Sequence, residues 1–437
     1  MTGVAVVLNE WATLSPDEKG PLAGASFADD RPARRLAESL TASGCLEVLE
    51  LARGLEVRAS SYVGHLRLGP VELTIQPKLQ GAPLLALLRY AYDLRDLKPY
   101  DPLASVTASH GFQDILITQL ANEVAELLAR GMHREYERVT EPLASPRGRL
   151  DFGTYAREAN SARATLPCIH HPRLVATLLN QVLVAGLSWA ATLTADLELR
   201  ARLRRLARDF DLETPPLRLD GARLAEARRA LDRRTAAYGS ALTLLELLWQ
   251  SSGLVLDEAT PGPRLPGMLF DMNRFFQELL SRFLHAHLEP EGYVVQDEAR
   301  LRHLLAYDPA YNPQKRSPPT PRPDFIVHQK GKVVAVLDAK YRDLWEQSLP
   351  REMLYQLALY ALSQAQCHQA VILYPTLTAG AMEQRIHIHD PLHGERRAQV
   401  VLRPVDLVRL EVLLRPPHSQ ARVREREALA RSLALAA

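Results

Sequence analysis

Over the first eighty residues apolar and polar positions alternate in short runs. Residues 4–8, 46–57, 65–68 and 71–75 read as strands, and Gly69-Pro70 marks a turn between the last two. Between residues 95 and 262 the apolar spacing lengthens to that of helices, at 115–132, 173–194, 198–210, 222–237 and 239–254, interrupted by a strand-like run at 135–139. Pro261-Gly262-Pro263 and Pro266-Gly267 form a turn-rich seam. After it, 268–288 and 351–365 read as helices, 370–374 and 384–388 as strands, and 419–437 as a charged helix. The pattern predicts an α+β multidomain chain: an N-terminal β-rich module (1–94), a mainly helical middle region (95–262) and a C-terminal α/β domain (263–437).

The last part holds the chemistry. Residues 324–328 and 333–341 read as two strands joined at the turn-prone Lys330-Gly331-Lys332. The second is almost wholly apolar, as a buried strand is, until it delivers Asp338 and Lys340 at its end. Alternation puts these two on one face and Leu337 and Ala339 on the other. An uncompensated charge there is costly, and the candidates to offset it are each other, a neighbouring acid, a metal ion or a phosphate. Asp324, just after Pro323, is the second acid. Two carboxylates and a lysine suit metal-assisted phosphodiester hydrolysis: the acids hold Mg²⁺, and the lysine orients or acidifies a water. The plainer reading is a strand-end ion pair on a solvated rim.

Pro323-Asp324 followed by Asp338-Ala339-Lys340 resembles the PD-(D/E)XK nuclease motif. The resemblance implies a restriction-endonuclease-like fold for the C-terminal domain and adds the carbonyl of Ala339 as a metal ligand. Gln356 and Tyr360, spaced i to i+4, resemble the Gln-X-X-X-Tyr helix that contacts metal-bound water or DNA in one branch of these nucleases. Their alternative is a surface Gln beside a core Tyr. Such nucleases often draw another acid from the opening helix. The family's Glu falls at Gln277 here, with Glu278 adjacent, so either Glu278 substitutes as a ligand or Asp324 and Asp338 act alone.

A wider resemblance runs along the chain. Residues 62–79 (YVGHLRLGPVELTIQPKL) resemble the Val-Gly, strand, turn, strand, Pro-Lys signature of McrC proteins. The resemblance continues in order through residues 84–94, Arg134-Glu-Tyr-Glu-Arg138, Arg147-Gly-Arg-Leu150, Asn180, Met272-Asn273 and Leu373-Tyr374-Pro375. It implies the nuclease subunit of a modification-dependent (5-methylcytosine) McrBC restriction system. Its implied partners are double-stranded, methylated DNA and an AAA+ GTPase of the McrB type, which would carry the GTP and whose hydrolysis the part ahead of the nuclease would stimulate. Lys78, Arg147 and Arg149 are the candidates for a basic residue set against a transferring phosphoryl group, or else are solvated surface.

Composition narrows this picture. A net charge of +2 over 437 residues gives no whole-protein polyanion signature, so a nucleic-acid partner needs a local basic patch. Arg200, Arg202, Arg204, Arg205 and Arg208, then Arg223, Arg228, Arg229, Arg233 and Arg234, form such a patch or else pair with Glu198, Asp209, Asp211, Glu226 and Asp232. Three distant cysteines, Cys45, Cys168 and Cys367, fit a reducing cytoplasm. No apolar run reaches membrane-spanning length, no export signal is visible, and no P-loop occurs, so nucleotide hydrolysis is expected of a partner. His170-His171 read as loop histidines, and His387 and His389 as a half-buried strand. Two other functions fit the same residues: a non-catalytic activator of the NTPase, and a stand-alone defence or repair nuclease.

Overall fold

The computed structural model describes residues 4–17, 20–27, 30–94, 112–157, 164–210, 217–252, 267–364, 368–416 and 419–435. The Pro261–Pro266 seam, Asp211 and Cys367 lie outside them. The fold is mixed α+β, with several sheets and twelve α-helices among the described residues. Residues 1–96 together with 254–437 form one compact unit, and residues 97–253 form the other. The first and third parts of the expected division thus share a unit.

The core of the first unit is a six-stranded mixed sheet, in the spatial order Tyr293–Asp297, Phe325–Gln329, Lys332–Ala339, Gln369–Thr376, Arg396–Asp406, Gln384–His389. Phe325–Gln329 and Lys332–Ala339 form an antiparallel hairpin closed by the Gln329–Lys332 pair. Its two loop residues, Lys330 and Gly331, have φ of 50° and 77°, the paired positive values that match the twist of a hairpin. Lys332–Ala339 then runs parallel to Gln369–Thr376, which is parallel to Arg396–Asp406. Flanked on both sides, the hairpin's second strand is buried from Ala335 to Ala339. Helix Arg351–Ser363 covers one face through Leu357, Tyr360 and Ala361, which pack with Val336, Ile372 and Val400.

The same unit holds a second sheet, ordered Val4–Asn9, Val71–Gln76, Tyr62–Leu68, Gly267–Asp271. Its last strand corrects the sequence reading, which ran a helix from residue 268: residues 267–271 are a strand, and the helix is Met272–Leu288. The switch falls at Asp271, whose side chain accepts the amides of Asn273 and Arg274 as an N-cap does. Gly64 makes the pairing possible, because at φ 141° a Cβ there would sit 2.1 Å from the carbonyl oxygen of Met268. A helix the sequence reading omitted, Arg31–Ala42, is capped by Asp30 with Pro32 in its first turn.

The second unit is mainly helical, with Phe112–Arg130, Leu178–Leu193, Leu197–Asp209, Gly221–Arg229 and Gly239–Ser252. Two expected helices are shorter than predicted. Residues 173–174 pair instead with Glu135–Tyr136, and the following helix starts after its N-cap Thr177. The helix expected over 222–237 stops at Arg229, since Asp232 draws the amides of Arg234 and Thr235 into a turn. His170 belongs to strand Leu166–His170, not to a loop, and bonds Glu141.

Candidate active site

The site grows out of the hairpin end. Phe325 pairs with Leu337, so one step further Asp324 and Asp338 stand opposite each other. The Asp324 carboxylate accepts the Ala339 amide at 2.6 Å, which fixes it across the strand end. Asp338 is 2% exposed, and its Oδ2 lies 3.1 Å from Lys340 Nζ. Lys340 in turn is tied to the next strand by its amide, which donates to Leu373 O at 3.0 Å. Two acids and a lysine therefore meet on the sheet face that carries helix Arg351–Ser363.

Their electrostatics follow from that crowding. Burial, together with the charge of Asp338, pushes the Asp324 carboxyl up to about 6, against the pull of Lys340 and the Ala339 amide. Burial raises Asp338 too, although Lys340 opposes it. Burial alone would lower Lys340, but the charges of Asp338 and Asp324 outweigh it and raise the ammonium above its ordinary value. The lysine stays charged while the two acids compete for ionisation, the behaviour of paired carboxylates.

Tyr360 closes the cluster from the helix. It is 1% exposed, and its hydroxyl accepts from Gln356 Nε2 at 2.9 Å. Burial, then the nearby charges of Asp338 and Asp324, raise its pKa, which places the hydroxyl in the field of both acids. Gln356 itself is exposed.

Glu278 belongs to helix Met272–Leu288. Its carboxyl is raised by burial and by Asp297 and Glu298, whereas the groups acting on Asp324 are Asp338, Lys340 and Glu298. Gln277 lies one turn beyond Asn273 on helix Met272–Leu288. Among the described residues no group of three or more His, Cys, Asp or Glu is arranged to hold a metal ion. The oxygen donors at the hairpin end, Asp324, Asp338 and the Ala339 carbonyl, suit a hard divalent cation by their chemistry, with two carboxylates rather than three.

Three residues near the cluster had no assigned role in the sequence reading. Glu298, at φ 48°, donates its amide to Asp324 O at 2.8 Å and pairs with Arg322. Asn273 accepts the amide of Tyr341 at 3.0 Å, and Glu10 accepts the Tyr341 hydroxyl at 3.1 Å. Only Asn273 had a sequence signal, as half of the Met272-Asn273 pair.

The other basic candidates are more dispersed. Lys78 is paired with Glu346 at 2.9 Å. Arg147 and Arg149 are exposed in the second unit, on either side of Gly148. The two arginine-rich segments are partly committed within that unit: Arg202 donates to Asn122, Arg200 to Thr194 O and Arg228 to Thr243, while Arg223 pairs with Glu226.

Comparison with known proteins places the chain in a family. The family model described as McrBC 5-methylcytosine restriction system component matches residues 57–375. Among curated proteins none matches. A chain in the refined half-complex from a tetradecameric assembly of Thermococcus gammatolerans McrB AAA+ hexamers with bound McrC superposes with a TM-score of 0.63 at 20% identity, covering 97% of this chain and 99% of that one. A chain of the Thermococcus gammatolerans McrBC complex gives a TM-score of 0.47 at 21% identity, covering 65% and 88%.

Proposed function

The chain belongs to the McrBC 5-methylcytosine restriction system component family, and from that premise we propose that it is the McrC-type, metal-dependent DNA endonuclease subunit of such a system. The C-terminal sheet is then its PD-(D/E)XK domain, and its partner an AAA+ GTPase of the McrB type. The fold shared with a chain from an assembly of McrB AAA+ hexamers with bound McrC supports this pairing.

One observation carries the reading: Asp324 and Asp338 oppose each other at the hairpin end, with Lys340 on Asp338 at 3.1 Å. Asp324, Asp338 and the Ala339 carbonyl would hold Mg²⁺, which when bound supplies Lewis-acid activation of a water and offsets charge on the phosphate. Asp338 keeps the Lys340 ammonium over the same face, where it orients the attacking water or meets a phosphate oxygen. Gln356 holds the Tyr360 hydroxyl as an acceptor, which leaves that hydroxyl's own proton to donate beside the acids. Recognition of the methylated base belongs to the partner in this reading, and so does GTP.

The test is cleavage of methylated and unmethylated plasmid in Mg²⁺ by the chain with its NTPase. Asp338→Ala and Lys340→Ala are each expected to lower cutting by roughly 100-fold or more, with the circular dichroism spectrum kept. Cutting retained in both variants removes the assignment. A second reading, a non-catalytic activator, is favoured by Gln277 where the family has Glu and by the two-carboxylate donor set. Stimulated NTPase activity without any Mg²⁺-dependent cutting identifies it.

A further inference from the structure

Glu10 is a buried acid with no part in the chemistry described so far. It follows strand Val4–Asn9 and is 3% exposed. Its Oε1 accepts two hydrogen bonds, from the Lys78 amide at 3.0 Å and from the Tyr341 hydroxyl at 3.1 Å. Tyr341 is the residue after Lys340, also 3% exposed. Its amide donates to Asn273 Oδ1 at 3.0 Å, and Asn273 Nδ2 donates to Ser61 Oγ at 2.7 Å. The strand end that carries Lys340 is therefore held at two points, by Glu10 through the hydroxyl and by Ser61 through Asn273. Both holds originate in the N-terminal segment.

The arrangement carries a cost that packing alone does not explain. Glu10 Oε2 has no partner, nor has the indole nitrogen of Trp11. The two residues line a pocket of about 20 Å³ with Asp343 and Thr376, the space of one water. Trp11 sits at φ 62°, a strained value for a bulky residue, and the Arg342 guanidinium lies over its ring at 5.4 Å. The strained backbone at Trp11, next to the buried carboxyl of Glu10, marks a place where geometry is kept at the expense of stability.

We propose that Glu10 is a positioning residue for Lys340: acting through Tyr341, it fixes the strand end from which the lysine reaches Asp338, so that a shift of the N-terminal strand moves the lysine. The inference deepens the nuclease reading and rests on it for its functional consequence. The structural hold on residues 339–342 stands apart from it.

The test uses the full chain with its NTPase and compares Tyr341→Phe, which keeps the ring, with Glu10→Gln, which keeps an acceptor oxygen. Tyr341→Phe is expected to lower kcat for plasmid cleavage by roughly tenfold with KM within about twofold, and Glu10→Gln to retain most of the wild-type kcat. Hydrogen–deuterium exchange of residues 339–342 is expected to rise by roughly fivefold or more in Tyr341→Phe, with strand Gln369–Thr376 unchanged. Unchanged exchange at 339–342 overturns the inference, as does a uniform rise across the sheet or a kcat loss that Glu10→Gln shares. If the wild-type chain does not cut DNA, the nuclease reading fails, while a local rise in exchange still upholds the hold on the strand end.

Discussion

Protonation of Asp324 sets what the acid–lysine cluster can do. Its carboxyl is pushed up to about 6 by burial and by Asp338, from an ordinary value of 3.8. The folded chain therefore binds this proton more tightly than the unfolded chain does. The associated stability is fully present below the unfolded value and is lost as pH rises through about 6. Asp324→Asn, which cannot ionise, should raise Tm at pH 7.5 by several degrees and much less at pH 5. An equal gain at both pH values would show that the side chain is ordinary in the folded state. Under the proposed nuclease function, the same shift predicts that Mg²⁺ binding, followed by calorimetry, weakens as pH drops from 7.5 to 5.5 and is accompanied by proton release, and no binding at either pH would count against that proposal. These three residues were legible in the sequence because Asp324, Asp338 and Lys340 belong to one local hairpin. Glu10 was not, for it meets Tyr341 across 331 positions and no local pattern records such a contact.

Among the secondary elements, glycine and capping residues decide where one ends and the next begins. Gly64→Ala would place a Cβ 2.1 Å from Met268 O at φ 141°, so it should cost about 3 kcal/mol or more in a urea titration. Gly44→Ala, at φ 72° with no atom within 4 Å, should cost only about 1 kcal/mol. Similar losses in both would mean that the close approach of Tyr62–Leu68 to Gly267–Asp271 does not matter to stability. The hairpin turn could be read in advance because Lys330-Gly331 meets the backbone demand of a two-residue loop. The strand before Met272 could not be separated by period, since its three apolar residues, Met268, Leu269 and Phe270, are too few to show alternation and abut the helical spacing of Met272, Phe275, Phe276 and Leu279. Asp271 held the missing signal, as Asp30, Thr177 and Asp406 did at three further misplaced or omitted helix starts.

At the scale of the molecule, the first unit is assembled from two distant stretches of chain. A fragment of residues 263–437 would leave Gly267–Asp271 without Tyr62–Leu68 and Tyr341 without Glu10. It should be insoluble or molten when expressed alone, and residues 1–94 supplied as a second fragment should restore cooperative unfolding. A fragment that unfolds cooperatively by itself would show that the six-stranded sheet needs no help from the N-terminal segment. The sequence places breaks at 94/95 and 262/263, near the unit limits at 96/97 and 253/254, but it does not show that the two outer parts share a unit, because a strand's neighbour is chosen in space. The pairing of Tyr62–Leu68 with Gly267–Asp271 also has a bearing on synthesis. The ribosome releases the two strands about 200 residues apart, an interval of roughly 10–40 s at ordinary elongation rates. For that time Tyr62–Leu68 is a bare sheet edge, open to any other extended chain nearby. A nascent chain built this way should depend on chaperones until its third hundred residues emerge, and slowing translation after residue 76 should lower its soluble yield.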